Sequence, residues 1–173
     1  MMNHQIKKIL SRTIIFGVFV LSCFVYAQND IQNEQQIYLT QKTVSLDGAR
    51  QAIKAAQEEA IKKGWHISVA VVDVSGQLVA LEKNDFAIGV SPTVAYEKAR
   101  TAALLKAPSK EFEQYINNGQ PSFLATPGVT PLEGGIPIKV EGVVIGAVGV
   151  SGAHGGYDSH IATIAAQAAA NQR

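Results

Sequence analysis

Residues Gly142 to Asp158 read GVVIGAVGVSGAHGGYD. The run Val143 to Ser151 is apolar and valine-rich, which suits a strand, yet glycines stand at 146 and 149. Glycine inside a strand marks the close approach of another backbone or of a ligand. The strand ends in a small-residue turn that carries His154, Tyr157 and Asp158, so its end reads as the rim of a site. Upstream, Ile136 to Val140 reads as a partner strand, joined through Glu141-Gly142 as a tight hairpin and preceded by the pair Gly134-Gly135. Downstream, Asp158 to Ala170 reads as a helix. Its alanine-rich face suits packing against a sheet or another subunit.

The rest of the pattern extends outward from this hairpin. Leu46, Ala49, Ile53, Ala56, Ala60 and Ile61 recur at helical spacing, with Ser45 as a candidate N-cap and Gly64 as the stop. Ile67 to Asp73 and Gln77 to Lys83 read as strands around a glycine-containing turn, whose Asp73 side chain is suited to bond the turn backbone. A second helix is expected after Ser91-Pro92, with Ser91 as its cap, ending before Pro108. Ser109 is expected to cap a shorter one, ended by Asn118-Gly119. Gln120 to Gly135 is rich in proline and glycine and reads as irregular. The order α-ββ-α-α-ββ-α, with hairpin-joined strands, predicts a mainly antiparallel sheet with helices packed on it.

The N-terminus is a separate matter. Lys7, Lys8 and Arg12 precede an apolar stretch from Thr13 to Val25, and Val25-Tyr26-Ala27 resembles a cleavage site before Gln28. That is the pattern of a secretory signal peptide over residues 1–27, which predicts a periplasmic or secreted protein. Val20-Leu21-Ser22-Cys23 also resembles a lipoprotein box. The residues after Cys23 stay apolar, which fits the signal core better than a lipid tether. Residues 28–44 read as a flexible polar leader, and 45–173 as the folded domain. Cleavage at Ala27 removes the single cysteine and three of the 15 basic residues but none of the 14 acidic ones, leaving 12 against 14. Thiolate chemistry is then excluded, and no basic stripe points to nucleic acid.

VAVVDVSG (69–76), EKARTAALL (97–105), EGGIPIKVEGVVIGAVGVSG (133–152) and Asp158, in this order, resemble the GlcG/HbpS family, also described as haem-degrading or DUF336-type. The resemblance covers about Ser45 to Ala170. It implies a profilin-like α/β fold of the α+β type, with a five-stranded, mainly antiparallel sheet flanked by helices. It also implies homo-oligomers from dimers to octamers, and haem or another tetrapyrrole as ligand. Some family members are accessory partners of membrane sensor proteins, some are attached to corrinoid-processing proteins, and others are associated with glycolate metabolism.

Candidate residues follow from residue type and place. His154, in a glycine-flanked turn, is the foremost iron donor, although the family often has a small polar residue there; the alternative is an exposed loop histidine. His160 is a second ligand or a propionate partner, or a solvent-facing residue of the helix start. His66 is a further metal candidate, or edge packing. Lys98 and Arg100, within the Lys-Ala-Arg-Thr segment shared with the family, are cations for propionates or another carboxylate, or part of a solvated face. Thr101 offers a hydroxyl, and Tyr96 and Tyr157 offer phenols, each also explicable by packing. Gly134 and Gly135 let the backbone turn closely or cradle an anion. Asp158 suits a helix cap; with Ser159 after it, the acidic pair usual in the family is incomplete.

No nucleophile–base–acid set and no dinucleotide fingerprint is present. The leading expectation is an exported haem-binding oligomer that captures or buffers haem or serves a sensor, without turnover being required. Alternatives are binding of a small glycolate-type carboxylate or a corrinoid, or a structural oligomer without ligand.

Overall fold

The structure is a computed structural model, described here for residues 38–171. The expected signal peptide, residues 1–27, and most of the expected leader, residues 28–44, lie outside the described residues. The chain divides into Met1–Gln41 and Lys42–Arg173, and every described helix and strand belongs to the second unit. Its elements are α1 (Leu46–Lys63), β1 (Ser68–Asp73), β2 (Leu78–Lys83), α2 (Ser91–Leu105), α3 (Ser109–Asn117), a 3-10 turn (Pro121–Ala125), β3 (Gly135–Val140), β4 (Val143–Ser151) and α4 (Gly156–Ala170).

The boundaries have local causes. Ser45 Oγ accepts the Gly48 N–H at 3.1 Å and opens α1. Gly64, at φ 71°, closes it, with Trp65 N–H reaching back to Ala60 O, a Schellman arrangement. Asp73 Oδ1 accepts from Ser75 N–H and Gln77 N–H at 2.8 and 2.9 Å, which sets the β1–β2 turn. The other two serines do not cap as expected. Ser91 and Ser109 are already the first helical residues. Ser91 Oγ donates to Ile88 O and pairs with Ser68 Oγ. Ser109 Oγ donates to Leu132 O and accepts from Gly135 N–H at 2.8 Å. Both hydroxyls are drawn to tertiary partners rather than to their own helix.

The sheet is antiparallel throughout and its order is β2-β1-β4-β3. It has four strands among the described residues, one fewer than the family resemblance implied. Among the described residues, the segment before α1 contributes one backbone bond to it, Val44 N–H to Ile145 O at 2.8 Å. Val44 itself is buried in the core, one residue ahead of the expected boundary at Ser45.

The alternation of β1 and β4 splits the core. Val69, Val71, Val148 and Val150 face α1 and α4, and Ala70, Val72 and Ala147 face α2. Ala52, Ala56 and Ala60 of α1 share the first cluster with Ala162, Ala165 and Ala169 of α4, so the alanine face of the last helix is spent inside the chain's own core. On the other side, Gly135 and Gly149 are paired across β3 and β4. A Cβ on Gly149 would strike Ala95 O, and one on Gly135 would strike Lys98 O. The strand glycines therefore admit the α2 backbone, the first of the two readings open to them.

Candidate functional site

The end of β4 and the start of α4 organise the site. Ser151 to Gly155 form a loop in which His154 adopts φ 69°, a left-handed conformation that costs a non-glycine residue roughly 1–2 kcal/mol. What holds the loop is Asp158, in the first turn of α4. Its Oδ1 accepts Ala153 N–H at 2.8 Å, and its Oδ2 accepts from Lys98 Nζ at 2.8 Å. Lys98 also donates to Val150 O at 3.1 Å. Both side chains are almost fully buried. Gly134, at φ 121°, lies over the pair: a Cβ there would come within 2.9 Å of both Lys98 Nζ and Asp158 Cβ. Asp158 is thus a loop-holding carboxylate as well as a favourable charge in the first helical turn.

Two cavities meet at His154. The outer one is an open concavity of about 490 Å³ lined by Lys63, Trp65, His154, Gly156, Tyr157 and His160. The Trp65 and Tyr157 rings lie 4.8 Å apart between centroids, tilted by 39°. His160 Nε2 is 4.0 Å from Glu59 Oε1. His154, Tyr157 and His160 are exposed. The inner cavity is a cleft of about 180 Å³, bounded by α2, α3, the approach to β3 and the His154 loop, with Lys98 and Asp158 in its wall.

Of the residues singled out in the sequence, the outer concavity gathers His154, Tyr157 and His160. Lys98 and Arg100 do not act together. Two residues apart on a helix, they face apart. Lys98 is committed to Asp158, while Arg100 packs against Gly76 and Gly128, and its Nε is buried without a partner. Lys98 is thereby buried and paired rather than part of a solvated face, and it does not line the outer concavity. Thr101 Oγ1 donates to Glu97 O and accepts Thr130 N–H, each at 2.8 Å, and so ties down the irregular segment. Tyr96 bonds Gly76 O and lies outside both cavities. Gly134 and Gly135 pack against Lys98 and Asp158 rather than forming an open cradle. His66 bonds Asn84 through Nδ1 at 3.1 Å and packs edge-on against Phe86; it too lines neither cavity.

Trp65 and Lys63 line the outer concavity but are not among the site residues expected from the sequence. The one tryptophan of the chain, placed directly after the helix-stopping Gly64, was the available signal. Glu113, Glu133 and Ser151 line the inner cleft; the last two belong to the family-like segment 133–152, but the three come together only through the fold.

Comparison with known proteins agrees with the geometry. The family model described as "Haem degrading protein HbpS-like" matches residues 44–167. Protein GlcG of Escherichia coli strain K12 is 45% identical over 112 residues, 65% of this chain and 84% of that protein. The crystal structure of an HbpS double mutant from Streptomyces reticuli superposes with a TM-score of 0.71 at 32% identity, covering 78% of this chain and 92% of that one. A structure described as a PduOC:heme complex does so with a TM-score of 0.65 at 28% identity, covering 73% and 94%. The sheet, its covering helices and these matches together make this chain a member of the HbpS-like family.

Proposed function

We propose that the protein binds haem in the outer concavity, where His154 would supply a nitrogen donor to the iron. The observation that carries the reading is the convergence of an aromatic pair, Trp65 and Tyr157, with two exposed imidazoles and the Lys63 cation around one open concavity. Flat rings offer a face to a macrocycle, an imidazole offers an iron donor, and lysine offers a charge for a propionate. Among the described residues no three His, Cys, Asp or Glu side chains converge as a cage for a bare ion. A porphyrin brings its own equatorial donors, so one well-placed imidazole suffices. The strained backbone of His154 fits this role, since such strain gathers where side chains must be aimed. The heme-complex relative supports the ligand class.

The finer reading is an exported protein, periplasmic or secreted, that captures or buffers haem as a homo-oligomer or serves a membrane sensor. It rests on the N-terminal pattern and on the family. Intact mass of the exported protein tests the first part: a chain beginning at Gln28 supports it, and a lipid on Cys23 overturns it.

The test of binding is a haemin titration followed by visible absorption, alongside His154→Ala and Trp65→Ala. A saturable Soret shift is expected, altered in position by the first variant and weakened by the second. An identical spectrum in His154→Ala would move the iron donor elsewhere, and no saturable shift in the native protein would end the haem reading.

A further inference from the structure

The inner cleft is too small for a tetrapyrrole. At about 180 Å³ it also falls below the roughly 300 Å³ at which drug-sized pockets begin. Its lining is nevertheless built for recognition. Ser151 is 7% exposed, and its hydroxyl makes no hydrogen bond to a described residue although it lines the cleft. A hydroxyl that faces a cleft without a protein partner can donate to, or accept from, whatever enters it. Lys98 stands beside it in the wall. Of the three N–H groups of an ammonium, Asp158 Oδ2 and Val150 O take two. The cleft lining thus includes donors from a serine and a lysine.

The lining also carries two glutamates, Glu113 and Glu133. Glu133 Oε2 is paired with Lys110 Nζ at 3.0 Å and accepts from Ser159 Oγ at 3.3 Å. Glu113 Oε2 accepts the Glu133 N–H at 3.1 Å, and no cation pairs with Glu113 among the described residues. With Lys98 matched to Asp158 and Lys110 to Glu133, the lining carries the unmatched charge of Glu113. Ile88, Val94 and Leu132 supply the apolar walls.

We propose that this cleft is a second binding site, for a small zwitterion of the amino-acid type. The carboxylate of the ligand takes the Ser151 hydroxyl and the remaining Lys98 N–H, its ammonium takes Glu113 with Glu133, and a short apolar side chain lies against Ile88, Val94 and Leu132. A simple carboxylate lacks the cationic end and leaves Glu113 unmatched. A simple amine leaves Ser151 unmatched. The charge pattern therefore selects molecules that carry both ends within a few bonds. This site stands apart from the haem reading, since its ligand-facing groups do not line the outer concavity.

The experiment is a titration of the ¹⁵N-labelled protein with glycine, L-alanine and L-serine, following the amide resonances of Ser151, Gly152 and Gly155, with acetate and methylamine as single-ended controls. Saturable shifts are expected with the amino acids, and binding at least about tenfold weaker with either control, the factor for one lost charge-assisted hydrogen bond. Ser151→Ala and Glu113→Gln should each weaken the amino acids by a similar factor. If Ser151→Ala does not fold, Glu113→Gln still decides, because its side chain is only partly buried. Three outcomes overturn the proposal: no saturable shift with any amino acid, acetate or methylamine binding as well as they do, or unchanged affinity in the folded variants.

Discussion

Lys98 Nζ lies 2.8 Å from Asp158 Oδ2, across 60 residues of sequence, with both side chains buried. The pair fastens α2 to the start of α4, and the other Asp158 oxygen fastens the loop that carries His154. One ion pair therefore links the packing of the sheet to the aim of the candidate haem donor.

Breaking that pair from one side should be severe. Lys98→Met leaves a buried carboxylate without its cation, at a cost of about 3–5 kcal/mol. Asp158→Asn leaves a buried ammonium and should cost a similar amount. Replacing both at once, as Lys98→Met with Asp158→Leu, should recover most of the loss, because no lone charge remains buried. It should stop short of full recovery by about 1 kcal/mol, since Ala153 N–H loses its acceptor. Denaturant unfolding of the three variants measures this, and a double variant less stable than either single one contradicts it.

The paired strand glycines should be intolerant of even one methyl group. At Gly149 and Gly135 the added Cβ meets the backbone of α2, which no rotamer change relieves. Gly149→Ala should displace α2 and cost more than about 3 kcal/mol, at the upper end of overpacking. Gly89, by contrast, has open space where a Cβ would lie, and Gly89→Ala should leave the melting temperature within a few degrees. Thermal unfolding of both variants compares them.

His154 should report strain and function with opposite signs. Glycine adopts φ 69° without penalty, so His154→Gly relieves strain of about 1 kcal/mol, partly offset by the greater freedom of the unfolded chain. Its melting temperature should equal or exceed that of the native protein, while the haemin spectrum changes. His154→Ala keeps the strain and should be the less stable of the two. The reverse order of melting temperatures would show that the loop does not hold this conformation in solution.

At the β3–β4 turn, the hydrogen bond from Lys42 and then its charge hold the Glu141 carboxyl below its ordinary value. With the folded pKa depressed, this contribution is present above the unfolded carboxylate pKa and lost as pH falls through the folded one. Glu141 is fully exposed, so salt should screen the effect. In low salt, Glu141→Gln should lose stability near neutral pH and converge with the native protein in acid. An unchanged difference across the acid range would remove Lys42 as its cause.

The helices, the two hairpins and their order were legible in the sequence because they rest on short-range causes. Ser45 and Gly64 bound α1, Asp73 and Gly76 set one turn, and Glu141-Gly142 set the other, each acting within a few residues. The family could also be read, since its segments lie in order along the chain. The same short-range reasoning misplaced Ser91 and Ser109 as caps, because each hydroxyl bonds a residue remote from its own helix. It also grouped Lys98 with Arg100, which the helical turn sends to different surroundings.

Sequence alone determined the elements, the antiparallel pairing within each hairpin and the His154 turn. Tertiary structure decided which glycine admits a helix backbone, which lysine is consumed by a distant aspartate, and which residues line the two cavities. Burial decides these outcomes, because a charge or hydroxyl withdrawn from water must find a partner wherever the fold brings one. That partner is set by the packing of α2 and α4 around the sheet, and no spacing along the chain records it.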